Sequence, residues 1–184
     1  MTALAPDLEH HSIDVLYPET TLARRIGELA AEIARDYKNK PLTVVALLRG
    51  SFMFAADLMR ALAAHDMRIQ VEFMTLSSYG KGTQSSGKVQ LVRGLGSGME
   101  GRHVLLLDDI LETGNTLAFA MEMLKAYEPA SVKLAVLLDK PGKLKHEVKA
   151  DYIGFTIEDE FVVGYGLDWA GYYRELPYIG IIRK

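Results

Sequence analysis

The 184-residue sequence contains no cysteine. That excludes disulfides, thiol catalysis and cysteine-ligated zinc. Tryptophan occurs once and proline six times. No apolar run approaches the ~18 residues of a membrane span, so no transmembrane helix is expected. The amino terminus lacks the basic and apolar regions of a secretory signal, and none is expected. Charge of one sign is not in large excess: 21 Lys and Arg oppose 24 Asp and Glu. The net charge of -3 leaves no global basic footprint for nucleic acid. Neither a Walker loop nor a nucleophile elbow occurs. The five histidines show no metal-ligand spacing apart from the adjacent His10-His11, so no zinc site is read. These absences lead to the expectation of a cytoplasmic protein with neither a nucleic-acid nor a membrane partner.

Hydrophobic residues make up 49% of the chain, enough for a substantial core in one domain. Thr20 or Thr21 can cap a helix whose apolar positions Leu22, Ile26, Leu29 and Ile33 recur at helical spacing. Thr43 to Leu48, His103 to Leu107 and Val132 to Leu138 read as strands buried on both faces. Helices over Phe52 to Ala64 and Thr116 to Tyr127 alternate with them. A strand over Arg68 to Met74 and a weaker one over Lys88 to Val92 complete the middle. This rhythm predicts an α/β fold, a mostly parallel twisted sheet flanked by helices. Short β-like pieces at Tyr152 to Phe155, Phe161 to Tyr165 and Tyr178 to Ile182 break the rhythm. They predict a small cap, built with residues 1–19 (a strand at Ile13 to Tyr17) and 151–184, over a core of residues 20–150. Ser77 to Lys88 is rich in glycine and serine and reads as a loop, either a lid or a hairpin tip.

The most telling stretch is HVLLLDDILETGNT, His103 to Thr116. Its apolar run ends in two carboxylates, Asp108 and Asp109. They fall at the carboxyl end of the strand, where open α/β sheets place ligands. Carboxylates suit vicinal hydroxyls or Mg²⁺. The turn Thr113-Gly114-Asn115-Thr116 opens a helix, whose N–H groups suit a phosphate. An acid pair beside an anion cradle describes a site for a phosphorylated sugar. Leu48-Arg49-Gly50-Ser51 makes a second strand-to-helix turn, which is either a plain connection or a second phosphate contact. Lys140, past another strand end, can donate to a ligand oxygen or simply be solvated. Phe161 and Trp169 can stack on a flat heterocycle or pack as core. Asp168 is a possible third acid for a metal.

VLLLDDILETGNTL resembles the phosphoribosyl pyrophosphate signature of the type I phosphoribosyltransferases. VVALLRGSFMFAADLMR, the SSYG loop, LLDKPGK and DYIGFTIEDEFVVGYGLDWAGYYRELPYIG resemble hypoxanthine (hypoxanthine-guanine) phosphoribosyltransferases, in that family's order, over roughly residues 10–182. The resemblance implies purine salvage with Mg²⁺ as cofactor. A 6-oxopurine, hypoxanthine and also guanine, and phosphoribosyl pyrophosphate would give IMP or GMP and pyrophosphate. It implies ribose and metal contacts at Asp108 and Asp109, and 5′-phosphate contacts from Glu112 through Thr116. Arg49, Gly50 and Arg174 would contact pyrophosphate, and Ser78 and Tyr79 would lie on a lid. Lys140 would meet the purine 6-oxygen, Phe161 would stack on the base, and Val162 would offer its backbone. Asp168 would bind a second Mg²⁺. Glu112 would take up or share the proton near N7. Family likeness also implies a homo-oligomer, a dimer or tetramer.

Two departures stand out. Glu112 and Arg49 occupy positions where many members have Asp and Lys. Glu lengthens the reach to N7, and Arg brings a forked donor. Two other functions compete with the enzyme. A regulator on the same fold would show a basic face or an added nucleic-acid module. A plain nucleotide-binding module would not need the loop and the cap together.

Overall fold

The computed structural model describes residues 11–79, 88–96 and 98–183. Its elements, in chain order, are β1 (Ser12–Tyr17), α1 (Glu19–Asp36), β2 (Leu42–Leu48), α2 (Phe52–Ala63), β3 (Ile69–Tyr79), β4 (Lys88–Arg93), β5 (His103–Leu111), α3 (Asn115–Lys125), β6 (Ser131–Asp139), β7 (Tyr152–Thr156), β8 (Val162–Val163) and β9 (Ile179–Arg183). Six strands form the large sheet in the order β4-β3-β2-β5-β6-β7. All neighbours in it run parallel except the β3–β4 pair. This is the α/β, mostly parallel architecture that the alternating pattern predicts. A three-stranded antiparallel sheet, β1-β9-β8, forms a small hood.

Strand alternation divides the core between two faces. Val44, Ala46, Leu105, Leu107, Ala135 and Leu137 meet α1 and α2. Val45, Leu47, Val104, Leu106, Leu134 and Val136 meet α3. The sheet is therefore apolar on both sides, as central parallel strands require. Each helix turns one stripe inward: Leu22, Ile26, Leu29 and Ile33 on α1; Phe54, Ala55, Leu58 and Leu62 on α2; Leu117, Ala120 and Leu124 on α3. Arg25 of α1 also clasps the edge strand β7, donating from Nε to the Gly154 carbonyl (3.0 Å) and from Nη2 to that of Ile153 (2.8 Å).

Several expected boundaries move. α1 starts at Glu19 rather than after Thr20 or Thr21. The Pro18 carbonyl accepts from the N–H groups of Thr21 (2.9 Å) and Leu22 (3.1 Å), and the proline ring holds φ at -68°, already suited to a helix start. β3 runs on to Tyr79 and pairs antiparallel with β4, so Ser77–Tyr79 are strand, not loop. Ser78 stands opposite Val89 and Tyr79 opposite Lys88. The rest of the expected loop, 80–87, lies outside the described residues, as does most of the amino-terminal arm. β7, counted with the cap from sequence, is the sixth strand of the large sheet. The expected strand over Phe161 to Tyr165 shrinks to Val162–Val163. Its glycine-rich continuation turns back instead, with a Gly164–Leu167 bridge.

Candidate active site

β5 is longer than its apolar run. Past Leu107 it keeps its ladder with β6, where Asp108, Ile110 and Leu111 pair with Val136, Leu138 and Asp139. Its ladder with β2 ends at the Ala46–Leu107 pair. Asp108 and Asp109 therefore lie inside the strand rather than at its end. They fill the notch left where β2 peels away into the Arg49-Gly50-Ser51 turn.

That notch opens a cleft of about 250 Å³, lined by Arg49, Gly50, Asp108, Asp109, Glu112, Thr113, Gly114 and Thr116, with Leu47, Leu48, Leu76, Ile110 and Leu117 as apolar wall. Both sequence turns and the acid pair thus reach one cavity. The Leu48–Arg49 peptide is cis. Ser51 fastens the turn with a buried hydroxyl that donates to the Leu47 carbonyl (2.6 Å). A Cβ on Gly50 would fall 1.6 Å from Asp109 Oδ2, so only glycine fits there. Gly50 is roofed in turn by the hood: a Cβ on Gly166 would fall 2.1 Å from the Gly50 carbonyl oxygen.

Asp108 Oδ1 accepts from the Asp109 N–H (3.0 Å), and Asp109 Oδ1 accepts from the Ile110 N–H (2.8 Å). Burial, then the neighbouring Asp109 charge, pushes the Asp108 carboxyl well above the usual carboxylate range. Burial also raises Asp109, against the hydrogen bonds it accepts and the positive charge of Arg174. Two adjacent carboxylates, Asp108 buried and Asp109 partly exposed to the cleft, form a place where a cation is stabilised. Their hard oxygens fit Mg²⁺, which takes one or two carboxylates and completes its shell with water and substrate phosphates. Among the described residues no group of three or more His, Asp or Glu could hold a metal.

Gly114 sits just before α3 with φ 75°, a left-handed conformation suited to glycine. The first-turn N–H groups of α3 have no intrahelical acceptor and face the region where an anion is stabilised. Thr113 Oγ1 accepts from the Asn115 N–H at 3.4 Å. Asn115 itself is not part of the cleft lining.

Lys140 is buried at the end of β6. Its ammonium donates to Glu112 Oε1 (3.0 Å), to the Glu160 carbonyl (3.0 Å) and to Asp159 Oδ1 (2.8 Å). Burial would lower its pKa, but the bonds to Asp159 and Glu112 outweigh that and raise it. Lys143 closes the square, 2.6 Å from Asp159 and 3.7 Å from Glu112. Lys143 and Asp159 were not singled out from sequence, because nothing in their spacing says that the two turns meet. Phe161 follows directly, 55% exposed, with the edge of Trp169 against it at 6.4 Å. Val162 is buried and paired with Ile181. Asp168 and Arg174 form an ion pair at 2.5 Å, and Arg174 also donates to the Gly166 carbonyl (2.5 Å). Asp168 therefore stands with Arg174 rather than in a cluster with Asp108 and Asp109. Gly166 was also missed from sequence.

Among the described residues no helix is long and apolar enough to cross a membrane. The sequence profile of the phosphoribosyl transferase domain matches residues 12–169. A hypoxanthine-guanine phosphoribosyltransferase of Staphylococcus aureus is 44% identical over 170 residues, 92% of this chain and 93% of that protein. A crystal structure of a hypoxanthine phosphoribosyltransferase from Staphylococcus aureus superposes with a TM-score of 0.86 at 44% identity, over 92% of this chain and 91% of that one. The hypoxanthine phosphoribosyltransferase of Trypanosoma cruzi, solved as a lysine-to-arginine mutant in a ternary substrates complex, gives 0.85 at 42% identity, over 92% and 94%.

Proposed function

The chain belongs to the phosphoribosyl transferase family, and from that premise we propose that it is a purine-salvage hypoxanthine phosphoribosyltransferase, using guanine as well. The reaction joins a 6-oxopurine to C1′ of phosphoribosyl pyrophosphate and releases pyrophosphate, giving IMP or GMP. The observation that carries this reading is the single cleft in which the Asp108–Asp109 pair, the Gly50 turn and the Thr113–Thr116 turn converge.

In this reading the core, residues 20–150, binds the sugar phosphate and the hood reads the base. Thr113 to Thr116 hold the 5′-phosphate with the first N–H groups of α3 and two threonine hydroxyls. Asp108 and Asp109 accept from the ribose hydroxyls and would hold a Mg²⁺ ion, which would supply charge stabilisation to the pyrophosphate leaving group. Arg49, Gly50 and Arg174 donate to that leaving group, and Asp168 is assigned to a second Mg²⁺. Ser78 and Tyr79 belong to a lid that keeps water from the cation-like sugar. Phe161 stacks on the purine, the Val162 backbone meets its edge, and Lys140 donates to its 6-oxygen. Glu112, within reach of the same ammonium, takes up or shares the proton near N7.

We also infer a homo-oligomer, a dimer or tetramer. The large sheet leaves Val71, Phe73 and Val92 exposed at 36%, 41% and 63%, apolar surface suited to a second copy. A cytoplasmic location fits substrates whose phosphate charges hydrocarbon excludes.

Incubation with Mg²⁺, phosphoribosyl pyrophosphate and hypoxanthine, guanine or xanthine, followed by nucleotide chromatography, tests the activity. IMP and GMP are the expected products. No nucleotide at micromolar protein rejects the assignment.

A further inference from the structure

The 169–173 turn of the hood is met by a side chain from the other end of the sequence. His11 lies just before β1, and its ring meets the edge of Trp169 at 5.1 Å between centroids and 77° between planes. The same ring crosses Tyr173 at 5.6 Å and 82°. Its Nε2 shares a hydrogen bond of 2.7 Å with the Tyr173 hydroxyl. Trp169 in turn meets Phe161 in an edge-to-face contact, 6.4 Å between centroids and 79° between planes. A continuous row of edge-on contacts thus runs from the amino-terminal arm to the exposed ring of Phe161.

The segment that His11 grips closes on itself through the reciprocal Trp169–Tyr172 backbone bonds (3.2 and 3.0 Å), yet it carries unusual backbone within that pair and just past it. Ala170 and Tyr173 have φ values of 51° and 75°, a region that side-chain-bearing residues seldom occupy. Such conformations persist where surrounding contacts over-determine them. On one side the segment is tied by Asp168, which accepts from the Gly171 N–H (2.7 Å) and pairs with Arg174. On the other side His11 bridges Trp169 and Tyr173.

We propose that His11 is a positioning residue for purine binding, bracing Trp169 so that Phe161 presents its face to the base. The proposal rests on the reading of Phe161 as the ring-stacking residue. His11 meets Trp169 and Tyr173, and its proposed effect on the base runs through them. It acts by limiting how far Trp169 can tip away, because an edge-to-face contact has a narrow angular optimum and is lost on rotation.

Trp169 is the sole tryptophan of the chain, so its fluorescence reports this place alone. The experiment combines IMP titrations followed by that emission with steady-state kinetics on H11A, H11F and F161A. In H11A the emission is expected to shift to the red. IMP affinity should fall and the hypoxanthine KM rise by about fivefold, the effect of one lost aromatic contact. The KM for phosphoribosyl pyrophosphate and kcat are expected to stay within about twofold. H11F keeps a ring against Trp169 and is expected to recover most of the purine affinity; should H11A fail to fold, H11L, which fills the space without a ring, takes its place under the same readouts with the same expected loss. An unchanged hypoxanthine KM in H11A beside a raised one in F161A overturns the role of His11 alone. An unchanged KM in F161A overturns the stacking reading itself. Equal rises in both substrates' KM values in H11A mean general loosening of the hood and also overturn the proposal.

Discussion

Asp109 Oδ2 occupies the space where a Cβ of residue 50 would stand, 1.6 Å from that ideal position. The carboxylate and the strand-to-helix turn are therefore in direct apposition, with no room for a side chain between them as they stand. Gly50→Ala is expected to displace the carboxylate or the turn by at least an ångström. A misplacement of that size costs about 10²-fold in kcat/KM. Asp109→Asn keeps the shape but removes the charge, and should lower turnover sharply with little change in melting temperature. Initial rates and thermal melts of both variants check this. Wild-type turnover in either one means that the apposition has no part in the chemistry.

A second expectation concerns pH. The Asp108 carboxyl is raised by burial and then by its neighbour Asp109. A raised folded pKa means that the fold favours the protonated form. Its contribution is fully present below the ordinary carboxylate value of about 3.9 and is lost as pH climbs through the raised value. In EDTA, D108N should therefore melt above wild type at pH 8, by roughly 2–4 °C for each ~1 kcal/mol. The gap should close towards pH ~4. A constant gap across that range, or a lower melting point for D108N at pH 8, refutes it.

Lys140 joins the two halves of the proposed site, since its ammonium meets Glu112 of the core and Asp159 and Glu160 of the hood approach. Lys140→Ala should raise the hypoxanthine KM by about tenfold or more, the scale of a lost charged hydrogen bond. Phosphoribosyl pyrophosphate binding should change far less. Titration calorimetry with each ligand separates the two, and equal losses would remove Lys140 from purine recognition.

Glu112 shares its Oε1 with Lys140 and Lys143. If it accepts the purine proton, Glu112→Gln should reduce kcat by about 10²–10⁴-fold. Glu112→Asp keeps the charge and should lie well above the amide variant. A kcat for Glu112→Gln within threefold of wild type, about 0.7 kcal/mol on the barrier, would show that the carboxylate is not the acceptor.

Much of this was legible in the letters. The buried runs Thr43 to Leu48 and Val132 to Leu138 lie within one residue of the observed strands, because short continuous apolar runs bounded by turn residues such as Pro41, Gly50, Pro129 and Pro141 have few other uses. The acid pair and the TGNT turn announced a shared cleft for the same reason that they form one: a strand end followed by a helix start. The length of β5 was hidden, since Asp108 and Asp109 end the apolar run while their backbone continues to pair with β6. The strands of the hood were legible as short β-like pieces at both ends of the sequence, but the turns between them were not. Those turns depend on Gly164, Tyr165, Gly166 and Gly171 at positive φ, and backbone choice of that kind leaves only a faint trace in hydropathy. Contacts such as Lys143 to Asp159, or His11 to Trp169, exist only once distant segments have met. No local spacing encodes them.

The seating of Gly166 on Gly50 has a consequence for anyone wishing to alter which base is accepted. Hood and core touch here backbone to backbone, with no side chain between them to act as a cushion. Remodelling the 162–168 turn to admit a bulkier heterocycle would press straight through this seam onto the carboxylate beneath. Retuning of specificity therefore belongs at Phe161, Trp169 and His11, whose side chains meet one another and not this backbone seam.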